Sequence, residues 1–210
     1  MTVTSGETPR RRLPAAERRA LIVEAAFTEF SAHGYEGASL GMIAEQAGIT
    51  RTVLYGHFPS KRALFDALLA AKHDELLRAL RTALNENSET DKRMRAAFEV
   101  MLDFARREPA AWRLLYPDRA PADPEVAADH ARIQGAANRI VAQSLTPDAE
   151  RAGIDPGSDL ARAIFALQQS AFQGLVRWSL AHPRVPREVI IDAAMKSIWL
   201  GVRALEQGES

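Results

Sequence analysis

A stretch near the end of the first quarter of the chain, GITRTVLYGHFPSKR, combines hydrogen-bonding, aromatic and basic side chains within a few positions. Arg51 carries a planar guanidinium that can donate two hydrogen bonds to guanine. Thr50 and Thr52 carry hydroxyls that can donate to a base or a phosphate, or contact the methyl group of thymine. Tyr55 and His57 have aromatic rings with polar tips that can reach a phosphate oxygen. These side chains are suited to contacts with a DNA duplex.

Neighbouring residues fit the same chemistry. Gly56 lacks a side chain, which allows a helix to approach a groove closely. Lys61 falls in the first turn of the next predicted helix, where backbone N–H groups favour an anion. At the start of the chain, Arg10, Arg11 and Arg12 form a basic run that can follow phosphates or enter the minor groove. A basic run by itself is more often a solvated surface.

Two short predicted helices separated by a glycine would position these residues. Ser39 is a preferred N-cap for the first helix, and its apolar positions repeat at i, i+3, i+4 and i+7, namely Leu40, Ile43, Ala44 and Ala47. Gly48 ends this helix and Thr50 caps the next one. A helix, a glycine-containing turn and a short helix form the helix-turn-helix pattern.

The second of these helices is too short to be stable alone, because isolated helices below about 12–15 residues are marginal in water. Val53, Leu54 and Phe58 are the apolar residues that can anchor it on one face. Its other face is then free to enter the major groove, where the N-terminal residues of such a helix meet base edges.

Almost every other segment also has helical periodicity, and none shows sustained alternation of period two. The first helix is predicted to begin near Pro14 and end at Gly34, and a long fourth helix follows Pro59. Later helices are predicted at about 90–107, 109–117, 123–145, 158–181 and 186–206.

The sequence therefore predicts an all-α fold of about nine helices. A disordered basic arm occupies residues 1–13, and an N-terminal three-helix bundle with the helix-turn-helix occupies 14–60. A larger C-terminal helical bundle occupies 61–210.

Composition excludes several other classes of protein. The 210 residues are 47% hydrophobic and 26% charged, as in an ordinary globular protein, and the net charge is zero. With no cysteine, the chain has no disulfide, thiolate zinc site or cysteine nucleophile. Neither a secretory signal nor an apolar run of about 20 residues is present, so we expect a cytoplasmic protein with no membrane partner.

An enzyme is not expected. A di-metal carboxylate site in a helical bundle needs Glu-x-x-His pairs on two helices, and the sequence has none. His73 and Asp74, like Asp129 and His130, are adjacent in sequence and do not share a helix face. The letters Gly-x-Ser-x-Gly occur once, as GASLG at residues 37–41, but they follow a predicted helix rather than a strand, so they do not form the nucleophile elbow of a hydrolase. The sequence has no phosphate-binding loop. We therefore expect no catalytic residue, no metal and no cofactor.

Residues from about 17 to 65 resemble the DNA-binding domain of the tetracycline-repressor (TetR) family of bacterial transcriptional regulators. The resemblance rests on AAFTEFSAHGYEGASLGMIAEQAGITRTVLYGHFPSKRALF, and LYGHFPSK is its most specific part. It implies that Tyr55, His57 and Lys61 contact phosphates and that residues 50–52 face bases. Ser39 stands where many relatives have threonine, and either residue can cap a helix. The predicted DNA-binding residues are Ser39, Thr50, Arg51, Thr52, Tyr55, Gly56, His57 and Lys61.

Beyond residue 70 the resemblance is architectural only, and it implies dimerisation and binding of a small effector. The last two predicted helices carry apolar stripes with small residues that allow close approach. The stripes consist of Leu160, Ile164, Leu167, Ala171, Leu175 and Trp178, and of Ile190, Ala194, Ile198, Gly201, Val202 and Leu205. They predict a homodimer through these helices and hence a palindromic operator on double-stranded DNA. The alternative is that both stripes pack within one chain.

Aromatic and amide side chains in the C-terminal region predict a pocket for a neutral, largely hydrophobic effector. The candidates are Phe98, Met101, Trp112, Tyr116, Asn138, Gln168, Gln169 and Phe172. The same composition is also typical of a filled core. We expect the protein to be a repressor that leaves its operator when the effector binds. A regulator without small-molecule control and an activator are the alternatives.

Overall fold

The structure is a computed structural model that describes residues 14–87, 89–119, 121–151 and 153–199. Within these ranges the regular elements are nine α-helices and a final π-helical turn, with no strand. The predicted all-α class is confirmed. The predicted basic arm at 1–13 and the end of the last predicted helix, including Gly201, Val202 and Leu205, lie outside the described residues.

The helices are short in the N-terminal third and longer after it. They are α1 (Ala15–Gly37), α2 (Leu40–Gln46), α3 (Arg51–His57), α4 (Lys61–Asn85), α5 (Thr90–Arg107), α6 (Pro109–Leu115), α7 (Pro124–Arg151), α8 (Asp159–Ala181) and α9 (Arg187–Ala194), followed by the π-helical turn Met195–Trp199. The chain divides into two compact units, and the boundary between them falls after Leu68.

One predicted helix end is wrong and one is confirmed in its geometry. Gly34, predicted to end the first helix, has non-helical backbone with a φ of 67° and divides α1, and a short second helical segment continues to Gly37. The seventh helix does not end at 145, because Pro147 lies inside it. Its stop is Gly153, which has φ 71° and donates a hydrogen bond to the carbonyl of Glu150 at 3.0 Å. A glycine in this conformation is a common helix terminator.

The core of the first unit draws on α1, α2, α3 and the start of α4. Its largest buried side chains are Ile22, Phe30, Ile43, Leu54, Phe58, Leu64 and Phe65. The rings of Phe30 and Phe65 meet edge to face with their centroids 4.8 Å apart. Leu54 is fully buried and is the only buried residue of α3. This packing, rather than helix length, holds α3 in place.

In the second unit, α5 packs against α6, α7, α8 and α9. Arg187 at the start of α9 donates two hydrogen bonds to the carboxylate of Asp103, at 2.7 and 3.0 Å. Hydrogen bonding to Asp103 raises the pKa of Arg187 above its ordinary value. Arg95, about two turns before Asp103 on α5, pairs with Asp192 on α9 at 2.7 Å. These pairs fix α9 along α5.

The buried imidazole of His73 predicts a pH dependence of stability. Its Nε2 has no hydrogen-bond partner within the described ranges. Burial lowers the pKa of His73 below its ordinary value of 6.5, and Arg132 and Arg81 add to this effect while Asp74 opposes it. The unfolded chain therefore takes up a proton before the folded protein does, so the free energy of unfolding falls as the pH drops below about 6.5.

We expect His73→Asn to remove this part of the pH dependence. The free energy of unfolding of the wild type and the variant is measured by denaturant unfolding at about pH 7.5 and pH 5. The difference between the two pH values reports the proton uptake that is linked to unfolding. An unchanged difference between the two pH values in the variant would show that His73 does not contribute.

Candidate functional site

Local hydrogen bonds build the helix-turn-helix as the sequence predicts. The hydroxyl of Ser39 accepts from the backbone N–H of Met42 at 3.4 Å, and that of Thr50 accepts from Val53 at 3.3 Å. Gly48, with φ 65°, ends α2, and the following N–H of Ile49 donates to a carbonyl within the helix. Both predicted N-caps and the glycine stop are confirmed.

Glu29 is a structural residue of this motif that the sequence reading missed. Its side chain is buried, and Oε1 accepts a hydrogen bond from the backbone N–H of Ser39 at 2.9 Å. This bond joins α1 to the start of α2. Helical periodicity marks Glu29 only as a charged residue beside Phe30, so the sequence gives no signal for the contact.

The predicted base-facing residues lie on the solvent side of α3. Thr50, Arg51 and Thr52 are exposed, while Leu54 points into the core. Half of the Tyr55 side chain is exposed. α3 therefore combines one anchored face with one exposed polar face, as a helix that enters a groove requires.

The remaining predicted DNA-binding residues differ in their exposure and in their contacts within the protein. Gly56 is exposed, and a Cβ atom there would meet nothing within 4 Å; His57 is half-buried. The Nζ atom of Lys61 donates to the carbonyl of Glu36 at 2.9 Å and lies 5.2 Å from the centroid of the Tyr35 ring. An ammonium group has three N–H donors, so Lys61 keeps two for an anion.

Arg19 is a further cation at this surface that the sequence reading did not single out. Its guanidinium lies 4.7 Å from the centroid of the Phe58 ring, directly after α3. The contact joins residues far apart in sequence, and no motif marks it.

The second unit contains a cavity of about 50 Å³ between α5, α7 and α8. Six of the eight predicted effector residues line it: Phe98, Met101, Asn138, Gln168, Gln169 and Phe172. Two of the lining rings, those of Phe98 and Phe172, stack directly on each other with centroids 4.5 Å apart. Three amide side chains are thus placed on an otherwise apolar wall.

Trp112 and Tyr116 do not line this cavity. Both are buried, and their rings pack against each other with centroids 4.3 Å apart. Burial raises the pKa of Tyr116, whose hydroxyl has no hydrogen-bond partner in the described part of the chain. The sequence alone cannot distinguish this packed pair from the cavity wall, because both consist of aromatic residues at helical spacing.

One face of α8 exposes an apolar stripe. Leu160, Leu167 and Trp178 have 57, 71 and 45% of their surface exposed. They share this face with Gly174, where an added Cβ would meet nothing within 4 Å. We call these four residues the α8 stripe. Phe172, by contrast, faces the cavity from the same helix.

The described residues offer neither a metal site nor a membrane span. No group of three or more His, Asp or Glu side chains in these ranges could hold a metal ion. None of the described helices is long and apolar enough to cross a membrane.

Residues 22–68, which include α2, α3 and the start of α4, match the family profile "Bacterial regulatory proteins, tetR family". The helix-turn-helix region of the chain thus matches that of TetR-family regulators. The matched residues contain the whole helix-turn-helix described above.

Curated proteins also match part of the chain. The "HTH-type transcriptional activator FasR" of Mycolicibacterium smegmatis is 38% identical over 117 residues, which cover 56% of this chain and 53% of FasR. The chain thus spans about half the length of the curated relatives it matches.

Solved TetR-type structures extend the similarity of fold to most of the chain. A "TetR-like transcriptional regulator" from a Rhodococcus species has a TM-score of 0.73 at 22% identity, covering 91% of this chain and 99% of the other. The regulator FadR from Bacillus subtilis, solved with stearoyl-CoA, has a TM-score of 0.72 at 15% identity, covering 91 and 99%. At these identities the similarity concerns the fold alone.

Proposed function

We propose that this protein is a homodimeric repressor of the TetR family. It binds a palindromic operator through α3 and leaves the operator when a small, largely hydrophobic effector enters the cavity. The observation that carries DNA binding is the division of α3 into a buried face at Leu54 and an exposed face with Thr50, Arg51 and Thr52. A regulator that binds bacterial DNA acts in the cytoplasm, and we propose that localisation for this protein.

The α8 stripe supports the dimer. Large apolar side chains this exposed mark a surface for association when they are contiguous, as they are along one helix face. Gly174 lies between Leu167 and Trp178 and leaves open space above its Cα. Small residues between large ones allow two helices to approach closely. A second copy of α8, related by a two-fold axis, fits this surface.

The position of α8 also supplies a mechanism for release. On one face it lines the cavity with Gln168, Gln169 and Phe172, and on the other it carries the α8 stripe. An effector that separates Phe98 from Phe172 moves α8 and so alters the dimer geometry. The effector then favours a geometry whose two α3 helices no longer match the operator half-sites, and DNA affinity falls.

The cavity indicates the class of effector. Its lining is apolar except for the amides of Asn138, Gln168 and Gln169, which suit a neutral polar group on an apolar body. A volume of about 50 Å³ is below the roughly 300–1,000 Å³ of a typical ligand site. The effector must therefore open the cavity, and a narrow apolar chain requires the least opening. The stearoyl-CoA bound to Bacillus subtilis FadR indicates that this fold can accept such a chain.

Selection of bound sequences from random DNA tests the proposal. The purified protein is expected to enrich one pseudo-palindromic site with two half-sites, because a two-fold dimer presents two α3 helices. Enrichment of no site, or of a site without two-fold symmetry, would contradict the proposal.

A cavity-filling variant tests effector control separately. Met101→Trp places a larger side chain on the cavity wall, and Met101 is partly exposed, so the new ring has room to adjust. We expect the variant to bind the operator normally but to lose the stabilisation that an effector gives the wild type. That stabilisation is about 2.7 kcal/mol at a ligand concentration 100 times Kd.

Thermal unfolding with a panel of lipophilic compounds, followed by operator binding in the presence of each hit, measures both properties. A compound that stabilises the wild type and Met101→Trp equally does not bind in this cavity. If no compound stabilises the wild type, effector control is wrong while DNA binding stands.

Activation is the second candidate, and the relative FasR, a transcriptional activator, favours it. The same dimer activates transcription when its operator lies upstream of a promoter rather than across it. In vitro transcription from a promoter carrying the selected operator separates the two: a repressor lowers the amount of transcript, and an activator raises it.

A further inference from the structure

Gly41, the second residue of α2, lies directly beneath the side chain of Arg51. A Cβ atom built at Gly41 would lie 2.9 Å from Cζ of Arg51, 3.0 Å from Nε and closer still to Nη2. Real Cβ atoms do not approach other heavy atoms this closely, so any other residue at this position must displace the guanidinium. The space above Gly41 is therefore occupied by Arg51.

A glycine in a helix needs a physical reason, because it is a poor helix former compared with alanine. Gly41 has ordinary backbone geometry, since the positive-φ glycines of the described residues are Gly34, Gly48 and Gly153. Backbone conformation thus does not require a glycine here. The contact that an added side chain would make is with the guanidinium of Arg51.

The guanidinium held against α2 keeps its donors free. Within the described part of the chain, Arg51 has no hydrogen-bond or ion-pair partner, and it is exposed. In a helix-turn-helix the first helix crosses the DNA backbone while the second enters the major groove. A guanidinium that lies between these two helices presents its five donors to the duplex from a defined position.

We propose that Gly41 determines operator specificity by positioning Arg51: the missing side chain lets the guanidinium lie against α2, and this position sets which base pair Arg51 contacts. The inference rests on the proposed function as a DNA-binding regulator. A side chain at position 41 would exclude the guanidinium from this place and so change where its donors meet the duplex. Gly41 is a positioning residue and need not touch DNA.

A double-mutant cycle on the full-length protein tests this role. Gly41→Ala, Arg51→Ala and the double variant are measured for affinity to the operator selected by the wild type. We expect Arg51→Ala to weaken binding about tenfold or more, because it removes a guanidinium contact. Gly41→Ala should weaken binding in the wild-type background and have no effect in the Arg51→Ala background, since its effect acts through Arg51.

Selection from random DNA gives the second readout. Gly41→Ala and Arg51→Ala should change the preferred base at the same position in each half-site. Gly41→Ala should unfold at the same temperature as the wild type or higher, because alanine favours the helix. A loss of affinity with intact folding is then due to the position of Arg51.

Gly135→Ala is the matched control. It makes the same substitution inside α7 of the second unit, where a Cβ would also approach an arginine end, Nη1 of Arg139 at 3.4 Å. It should leave the selected site unchanged. The inference is overturned if Gly41→Ala leaves both affinity and base preference intact, or lowers affinity by the same factor with and without Arg51. Failure of the wild type to select any site would instead overturn the proposed function and this inference with it.

Discussion

Leu167→Glu is expected to convert the protein into a monomer at micromolar concentration and to lower its operator affinity by about 100-fold or more. Leu167 is 71% exposed at the centre of the α8 stripe, so the substitution removes little packing within one chain. A charge on both copies of a buried helix pair would be desolvated without a partner, which strongly opposes association. Each monomer then holds only one half-site, and the advantage of two linked contacts is lost.

Sedimentation velocity and operator binding, measured side by side, check this expectation. Arg162→Glu is the matched control: Arg162 lies on α8, is exposed, and lies away from the α8 stripe, paired with Asp159. The control should remain dimeric and bind DNA. If Leu167→Glu sediments as a dimer, the interface lies elsewhere, and the mechanism that moves α8 against its copy is wrong.

The second large effect concerns how Arg51 and Lys61 contribute to DNA binding. Arg51→Ala is expected to relax the preference at one base pair in each half-site and to cost about 1–3 kcal/mol there, since Arg51 is expected to read a base edge. Lys61→Ala is expected to weaken binding to all sequences nearly equally and to reduce the slope of log K against log salt by about 1 per site. Tyr55→Phe, like Lys61→Ala, should weaken binding to all DNA sequences nearly equally.

Binding of each variant to the selected operator and to single-base variants of it, over a range of salt concentrations, separates the two roles. Glu45→Ala, an exposed change on α2, controls for nonspecific charge effects. A uniform loss of affinity for Arg51→Ala, with the base preference unchanged, would make Arg51 a phosphate contact instead.

The helix-turn-helix could be predicted from sequence because local residues determine it. Ser39, Gly48 and Thr50 act on backbone groups within five positions of themselves, and the structure places each as the sequence indicates. Proline was a less reliable signal. Pro147 lies inside α7, and the helix ends only where Gly153 adopts positive φ.

Contacts between helices could not be predicted in the same way. The bond from Ser39 to Glu29 and the approach of Arg51 to Gly41 depend on how α1, α2 and α3 pack. Helical periodicity does place neighbouring positions such as Phe98 and Met101 on one wall. Whether that wall encloses space depends on how the side chains pack, which periodicity does not reveal. Periodicity therefore predicts Trp112 as a cavity residue, whereas in the structure it packs against Tyr116.

In the proposed mechanism, the two faces of α8 limit how this protein can evolve. A substitution in α8 that reshapes the cavity would also shift the surface proposed to contact the second copy, so we expect a mutation that admits a new inducer there to weaken assembly. Met94 and Met101 on α5, and Val141 on α7, line the same space from helices that carry none of the α8 stripe. Descendants of this gene that respond to different compounds should therefore differ first on α5 and α7, with α8 the slowest of the three helices to diverge.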